Sequence, residues 1–236
     1  MSIDKISIEQ ISALQLSDSF FPTGMYTTSN GLEALFYKNQ RRQINPKELL
    51  DMIKVYLACQ IGPADCTALG NSYDCTKKQD LGALIDIDRM IFSMKLVREI
   101  RDASARSGSQ LLRCLVSFMT NDDILNKFND AIRAGRATGV FPVAFAIACN
   151  VLDISKNTAG LMMLYSFTVS MVGAALRLGM LQHYDGQRII HELKPEISKI
   201  VERCIERPLT SMWQFAPGID ILQIKHERMN SKMFIT

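Results

Sequence analysis

Asn45-Pro46-Lys47-Glu48-Leu49-Leu50-Asp51-Met52-Ile53-Lys54-Val55-Tyr56-Leu57 reads as a helix from its first residue onward. The Asn45 side chain can accept backbone N–H bonds, Pro46 stands where a missing N–H costs nothing, and Glu48 can reach back to the cap. Leu49, Ile53 and Leu57 then share one face, and Gly62-Pro63 predicts the end of the run. The same three- and four-residue spacing recurs outward from this stretch. Leu84, Ile87, Ile91, Met94 and Val97 follow it, as do Leu125, Phe128 and Ile132 after the turn signal Asn121-Asp122-Asp123. Strand-like alternation is scarce and no long period repeats, which argues against a solenoid. The expected fold is all-α: one irregular helical domain over residues 1–236, with helices too short and uneven for a four-helix bundle. Met1 to Ile11 and Ala216 to Thr236 have weaker periodicity and are expected to be mobile in the free protein, ordering against a partner.

The composition fits a packed globule. Of 236 residues, 47% are hydrophobic and 22% charged, which excludes wholesale disorder and low-complexity structure. A net charge of +3 nominates neither nucleic acid nor an anionic membrane as partner. The 6 cysteines form no C-x-x-C pair and read as reduced core thiols. Asp4, Lys5 and Glu9 interrupt the apolar run a secretory signal needs, so a cytoplasmic protein is expected. Asn157 to Leu176 is long enough to span a bilayer and carries no charge, but Gly160, Ser166, Thr168, Ser170 and Gly173 dilute it. A helix buried in the domain or in a subunit interface is the better reading.

Catalytic signatures are sparse. His183 and His191 stand eight residues apart, two turns on a straight helix, too far for one metal ion. His226-Glu227 begins like a zinc-protease motif, but Asn230 occupies the second ligand position. No phosphate-binding Gly-Lys-Ser/Thr loop is present. Asp86 and Asp88 read as a solvated helix surface, and the 13 methionines as core filler. Arg98, Arg101, Arg106 and Arg113 form a basic run that Asp102 could lace with salt bridges, with contact to a partner as the alternative. A small helical enzyme or small-molecule-binding protein, using His183, His191 or His226 in a pocket assembled in three dimensions, is the rival reading.

Several blocks resemble the urease accessory protein F (UreF) family. Leu14-Gln15-Leu16-Ser17-Asp18, Pro22-Thr23-Gly24, Tyr26, Ser29 and Gly31-Leu32-Glu33 are similar to its first signature. Arg98-Glu99, Arg101, Ala103-Ser104 and Gly108 resemble a second block, and Phe141-Pro142-Val143-Ala144-Phe145 a third, with Val140 where histidine is common. Leu164-Tyr165-Ser166 through Arg177-Leu178-Gly179 resembles a fourth, in which Met180 and His183 depart from the usual residues. His226-Glu227 with Ser231-Lys232-Met233-Phe234 resembles the family's charged tail.

The resemblance implies a non-catalytic homodimeric adaptor. It would join the accessory protein UreD (also called UreH) and the GTPase UreG on apo-urease for nickel delivery, modulating the GTPase. Nickel and GTP would be handled by those partners, and the chain itself would hold no cofactor. The residues it implies for partner binding are Asp18, Tyr26, Glu33, Arg98, Glu99, Arg101, Arg177, His226, Glu227, Arg228 and Lys232. Pro22 and Gly24 fit a sharp turn before a helix that Ser29 could cap. Arg177 fits the negative end of the long uncharged helix, and Gly173-Ala174-Ala175 would let a second copy approach closely.

Overall fold

The computed structural model describes residues 8–18, 20–24, 27–40 and 43–236, so Tyr26 lies outside the described residues. Among these the structure is helical, with no strand. In chain order the α-helices are α1 (Ile8–Ser17), α2 (Leu32–Lys38), α3 (Pro46–Tyr56), α4 (Thr67–Lys77), α5 (Leu81–Met94), α6 (Arg98–Val116), α7 (Asp123–Arg133), α8 (Phe141–Val151), α9 (Lys156–Arg177), α10 (His183–Cys204) and α11 (Pro217–Glu227).

The caps follow local chemistry. Asn45 Oδ1 accepts from the Lys47 amide at 2.9 Å and opens α3 with Pro46 at its first position. Asp80, Asp122 and Ser155 do the same for α5, α7 and α9. Gly62-Pro63 does not end the α3 run. The chain continues from α3 into α4 through a π-helical segment, Leu57–Cys66. Pro63 has no N–H to offer the Cys59 carbonyl, and the widened turn leaves that carbonyl open to the side. The Phe215 amide fills it at 2.9 Å, and the Trp213 amide reaches the Pro63 carbonyl at 3.4 Å. A helix breaker has become a docking point for a distant segment.

α8 is the centre of the core, packed by α4, α6, α7 and α9, and its residues Phe141 to Cys149 are all buried. Gly108 on α6 permits this approach, because a Cβ there would lie 2.2 Å from the Gly139 carbonyl oxygen. Asp88, read from sequence as solvated, is fully buried. It falls on the face of α5 that carries Leu84 and Ile91, and it accepts from Thr138 N (2.5 Å), Thr138 Oγ1 (2.8 Å) and Val140 N (2.8 Å), holding the turn that starts α8. Asp86 is exposed as expected.

α9 packs along α10 and against α8. It is the one described helix long and apolar enough to cross a membrane, and most of it is buried in the fold. Its exposed positions Leu161, Tyr165 and Val169 make a stripe at four-residue steps. Of the three small residues at its end, Ala174 and Ala175 face the core, and Gly173 has open space beside it. α11 packs on α2 and α6, and the chain beyond it returns to Thr27 and Ser29 just ahead of α2.

Candidate functional site: a histidine between two glutamates

Three segments far apart in sequence meet at one seam. Gly31 precedes α2 with φ +86°, and a Cβ there would meet the Gln223 amide nitrogen at 3.0 Å, so glycine lets α2 and α11 close on each other. Glu33, in the first turn of α2, is thereby buried completely. Its carboxylate is fully employed. Oε1 accepts from the Met233 amide at 2.8 Å, and Oε2 accepts from the Phe234 amide at 3.1 Å and lies 3.0 Å from His226 Nε2. Donors on every side make burial of a charged group tolerable.

His226 sits near the end of α11 with no exposed surface. Its other nitrogen, Nδ1, lies 2.7 Å from Glu99 Oε2 in the first turn of α6. Each ring nitrogen therefore faces a carboxylate oxygen, and both contacts are hydrogen bonds when the ring donates twice, as an imidazolium. Lys232 Nζ donates to Glu99 Oε1 at 2.7 Å and to the Glu227 carbonyl at 3.1 Å.

The seam fixes the tail. The Ile235 amide bonds the Thr27 carbonyl at 2.8 Å, and the Ser29 amide bonds the Thr236 carbonyl at 2.7 Å. Ser29 Oγ also donates to that carbonyl, and it receives the Glu33 amide at 3.4 Å, part of the capping role expected of it. Phe234 is buried beneath the Arg177 guanidinium, 4.4 Å from the ring centre. Residues 216–236, for which the sequence suggests mobility, are thus held in the structure by side chains from α2, α6 and α9.

The other residues singled out from sequence are placed as follows. Arg98 is exposed and pairs with Asp102 at 3.4 Å. Arg101 turns back to bond the carbonyls of Lys95 (2.9 Å) and Leu96 (3.2 Å) and lies over Phe92, so it closes the α5–α6 connection. Asp18 is exposed and accepts from the Phe20 amide at 2.7 Å in the turn after α1. Glu227 and Arg228 are exposed at the end of α11. Arg98, Glu99, Asp102, Arg106 and Glu227 line a surface cleft of about 270 Å³ directly outside the seam. The structure thus joins Glu33, Glu99, Arg177, His226, Glu227 and Lys232 into one neighbourhood, with Arg98 at its edge.

Sequence reading missed a second polar cluster. Lys95 Nζ bonds Asp65 Oδ1 at 2.7 Å, and both side chains are nearly closed to solvent. Gln60 Nε2 bonds Asp220 Oδ1 at 2.8 Å, and the Tyr56 hydroxyl donates to the Asn30 carbonyl. Burial holds the Asp220 carboxyl above the usual carboxylate range, partly offset by the Gln60 bond. Asp65 did carry a signal: it is the lone charge between Lys54 and Asp74.

The site offers little to a substrate. His226 has both nitrogens committed, and His183 and His191 are exposed on α10. The two glutamates approach the ring from opposite nitrogens and cannot converge on one ion with it. Among the described residues no group of three or more His, Cys, Asp or Glu is arranged to hold a metal.

Comparison with known proteins agrees in one direction. The family model described as UreF matches residues 44–194. The urease accessory protein UreF of Trichodesmium erythraeum (strain IMS101) is 34% identical over 226 residues, covering 96% of both chains. The corresponding protein of Bacillus sp. (strain TB-90) is 29% identical over 96% of this chain and 98% of its own. Urease accessory protein UreF 1 of Brucella melitensis is 31% identical over 94% of this chain and 90% of its own.

Proposed function

Because the chain belongs to the UreF family of urease accessory proteins, and so serves urease maturation, we propose that it is a non-catalytic adaptor whose tail seam is the docking point for its partners. The observation that carries this reading is the sandwich of His226 between Glu33 and Glu99. It spends buried charge on fixing a tail, and the residues it fixes border an open, charged cleft rather than an enclosed pocket. The partners are the accessory protein UreD/UreH, the GTPase UreG and apo-urease. The chain presents a rigid surface that favours particular conformations of the GTPase, so that nucleotide state is linked to assembly and nickel release. Nickel and GTP stay with the partners, in the cytoplasm. Arg98, Glu99 and Glu227 at the cleft, with Arg228 and Lys232 on the stretch that follows Glu227, are the contact set, and Glu33, Arg177 and His226 position them.

A homodimer completes the reading. Leu161, Tyr165 and Val169, with Gly173 beyond them, offer an exposed apolar stripe suited to a second copy.

The test is made in cells expressing the urease operon. Deleting the gene should leave urease deficient in nickel, and normal nickel loading without the chain would overturn the assignment. Removing Asp220 to Thr236 should abolish co-purification of the accessory partner, and undiminished capture would dissociate the seam from docking.

A further inference from the structure

α6 carries arginines that the tail seam does not use. Arg106 and Arg113 are seven residues apart, about 10 Å along a helix, with Gln110 between them on the same face. They form one wall of a groove of about 260 Å³ whose opposite wall is built by Thr23, Thr27 and Ile235. Among the described residues no aspartate or glutamate lines it. Asp102, the acid one turn before Arg106, is paired with Arg98. Arg113 uses Nε on the Ser109 carbonyl at 3.4 Å, which leaves its other N–H groups available, and both arginines are exposed.

We propose that this groove binds an acidic segment of a protein partner, with two of its carboxylates each received by one guanidinium. The inference rests on the adaptor reading for the class of occupant; the groove's charge and shape stand without it. The spacing selects the ligand. A seven-residue offset separates the two cations by about 10 Å, close to one turn of a polyproline-II segment, whose three-residue repeat returns carboxylates at every third position to the same face. One compact oxyanion would have to draw both side chains together. The amide of Gln110 lies between the cations along α6, where it can meet the segment's backbone. Arg106 also lines the cleft outside the seam, so a partner filling the groove would touch both surfaces at once.

The probe is a fluorescein-labelled peptide with glutamate at every third position, titrated with the full chain and followed by anisotropy. Arg106→Ala with Arg113→Ala should weaken binding by about tenfold or more, whereas Arg188→Ala with Arg203→Ala, exposed arginines on α10, should leave it within about twofold. The glutamine version of the peptide should not bind. Equal affinity for both arginine pairs would overturn the proposal. So would displacement of the peptide by inorganic phosphate beyond that caused by chloride of equal ionic strength, because the groove would then be a compact-anion site. Nickel loading of urease is measured in parallel with the wild-type and deleted gene. If loading depends on the chain while the peptide ignores Arg106 and Arg113, the groove assignment falls and the adaptor stands. If loading is independent of the chain, the adaptor reading falls by itself.

Discussion

The central helix α8 and the seam around His226 are both closed to water, and they are closed by different forces. α8 is walled with apolar side chains, Phe145 among them, stacked on Phe141 at 5.3 Å between centroids. Its burial is non-directional, so a neighbouring residue of similar volume would serve nearly as well. The seam turns on polar groups, and each carboxylate oxygen of Glu33 and Glu99 and each ring nitrogen of His226 has an assigned partner. Such an arrangement adds little net stability over an apolar filling, but losing one member leaves an uncompensated charge. The first region holds the molecule together; the second decides where its last residues lie.

Substitutions can break that contrast or sharpen it. The largest effect is expected from Phe145→Ala, which should lower global stability by about 3–5 kcal/mol in urea denaturation. A loss confined to the tail would contradict the division of labour. Glu33→Gln comes next, with a cost of about 3 kcal/mol at the seam. It should appear in hydrogen exchange as lost protection of the Met233 and Phe234 amides, while the α8 amides keep theirs. Uniform loss across the chain would mean that seam and core unfold as one. Arg98→Ala removes an exposed pair and should change the unfolding free energy measured in urea by no more than about 0.5 kcal/mol, yet reduce partner capture. Unchanged capture would move the docking face elsewhere.

The smallest effect concerns pH. Asp220 binds its proton more tightly when folded than when unfolded, since burial raises its pKa. Between the ordinary value and the raised one the native state holds more protons. This group's contribution to stability therefore falls as pH rises through that window. Asp220→Asn should lack that slope, so the difference between wild-type and variant denaturation midpoints should shrink as pH rises across the acid range. An identical slope in both would place the carboxyl in water.

Much of the helical framework was legible because it is local. Asn45-Pro46, Asp122 and the Leu84, Ile87, Ile91 spacing announce α3, α7 and α5 within a few residues of themselves. Gly62-Pro63 misled because the partner for the freed Cys59 carbonyl is Phe215, which no nearby residue announces. Asp88 misled in a different way. Its charge suggested solvent, although its position on the Leu84–Ile91 face already placed it inward, and the donors that justify it come from Thr138 and Val140. The seam is the extreme case. Glu33, Glu99 and His226 could be nominated singly through a family pattern, but their mutual contact depends on the packing of α2, α6 and α11 and on Gly31 allowing it.

The pairing of Glu33 with His226 also sets a timetable. During synthesis Glu33 leaves the ribosome 193 residues ahead of the ring it will pair with. Until then the nascent α2 carries an acid with no place to be buried, and its neighbours can pack only provisionally. A polypeptide interrupted before α11 lacks His226, Met233 and Phe234, so Glu33 is left without the donors that make its burial tolerable.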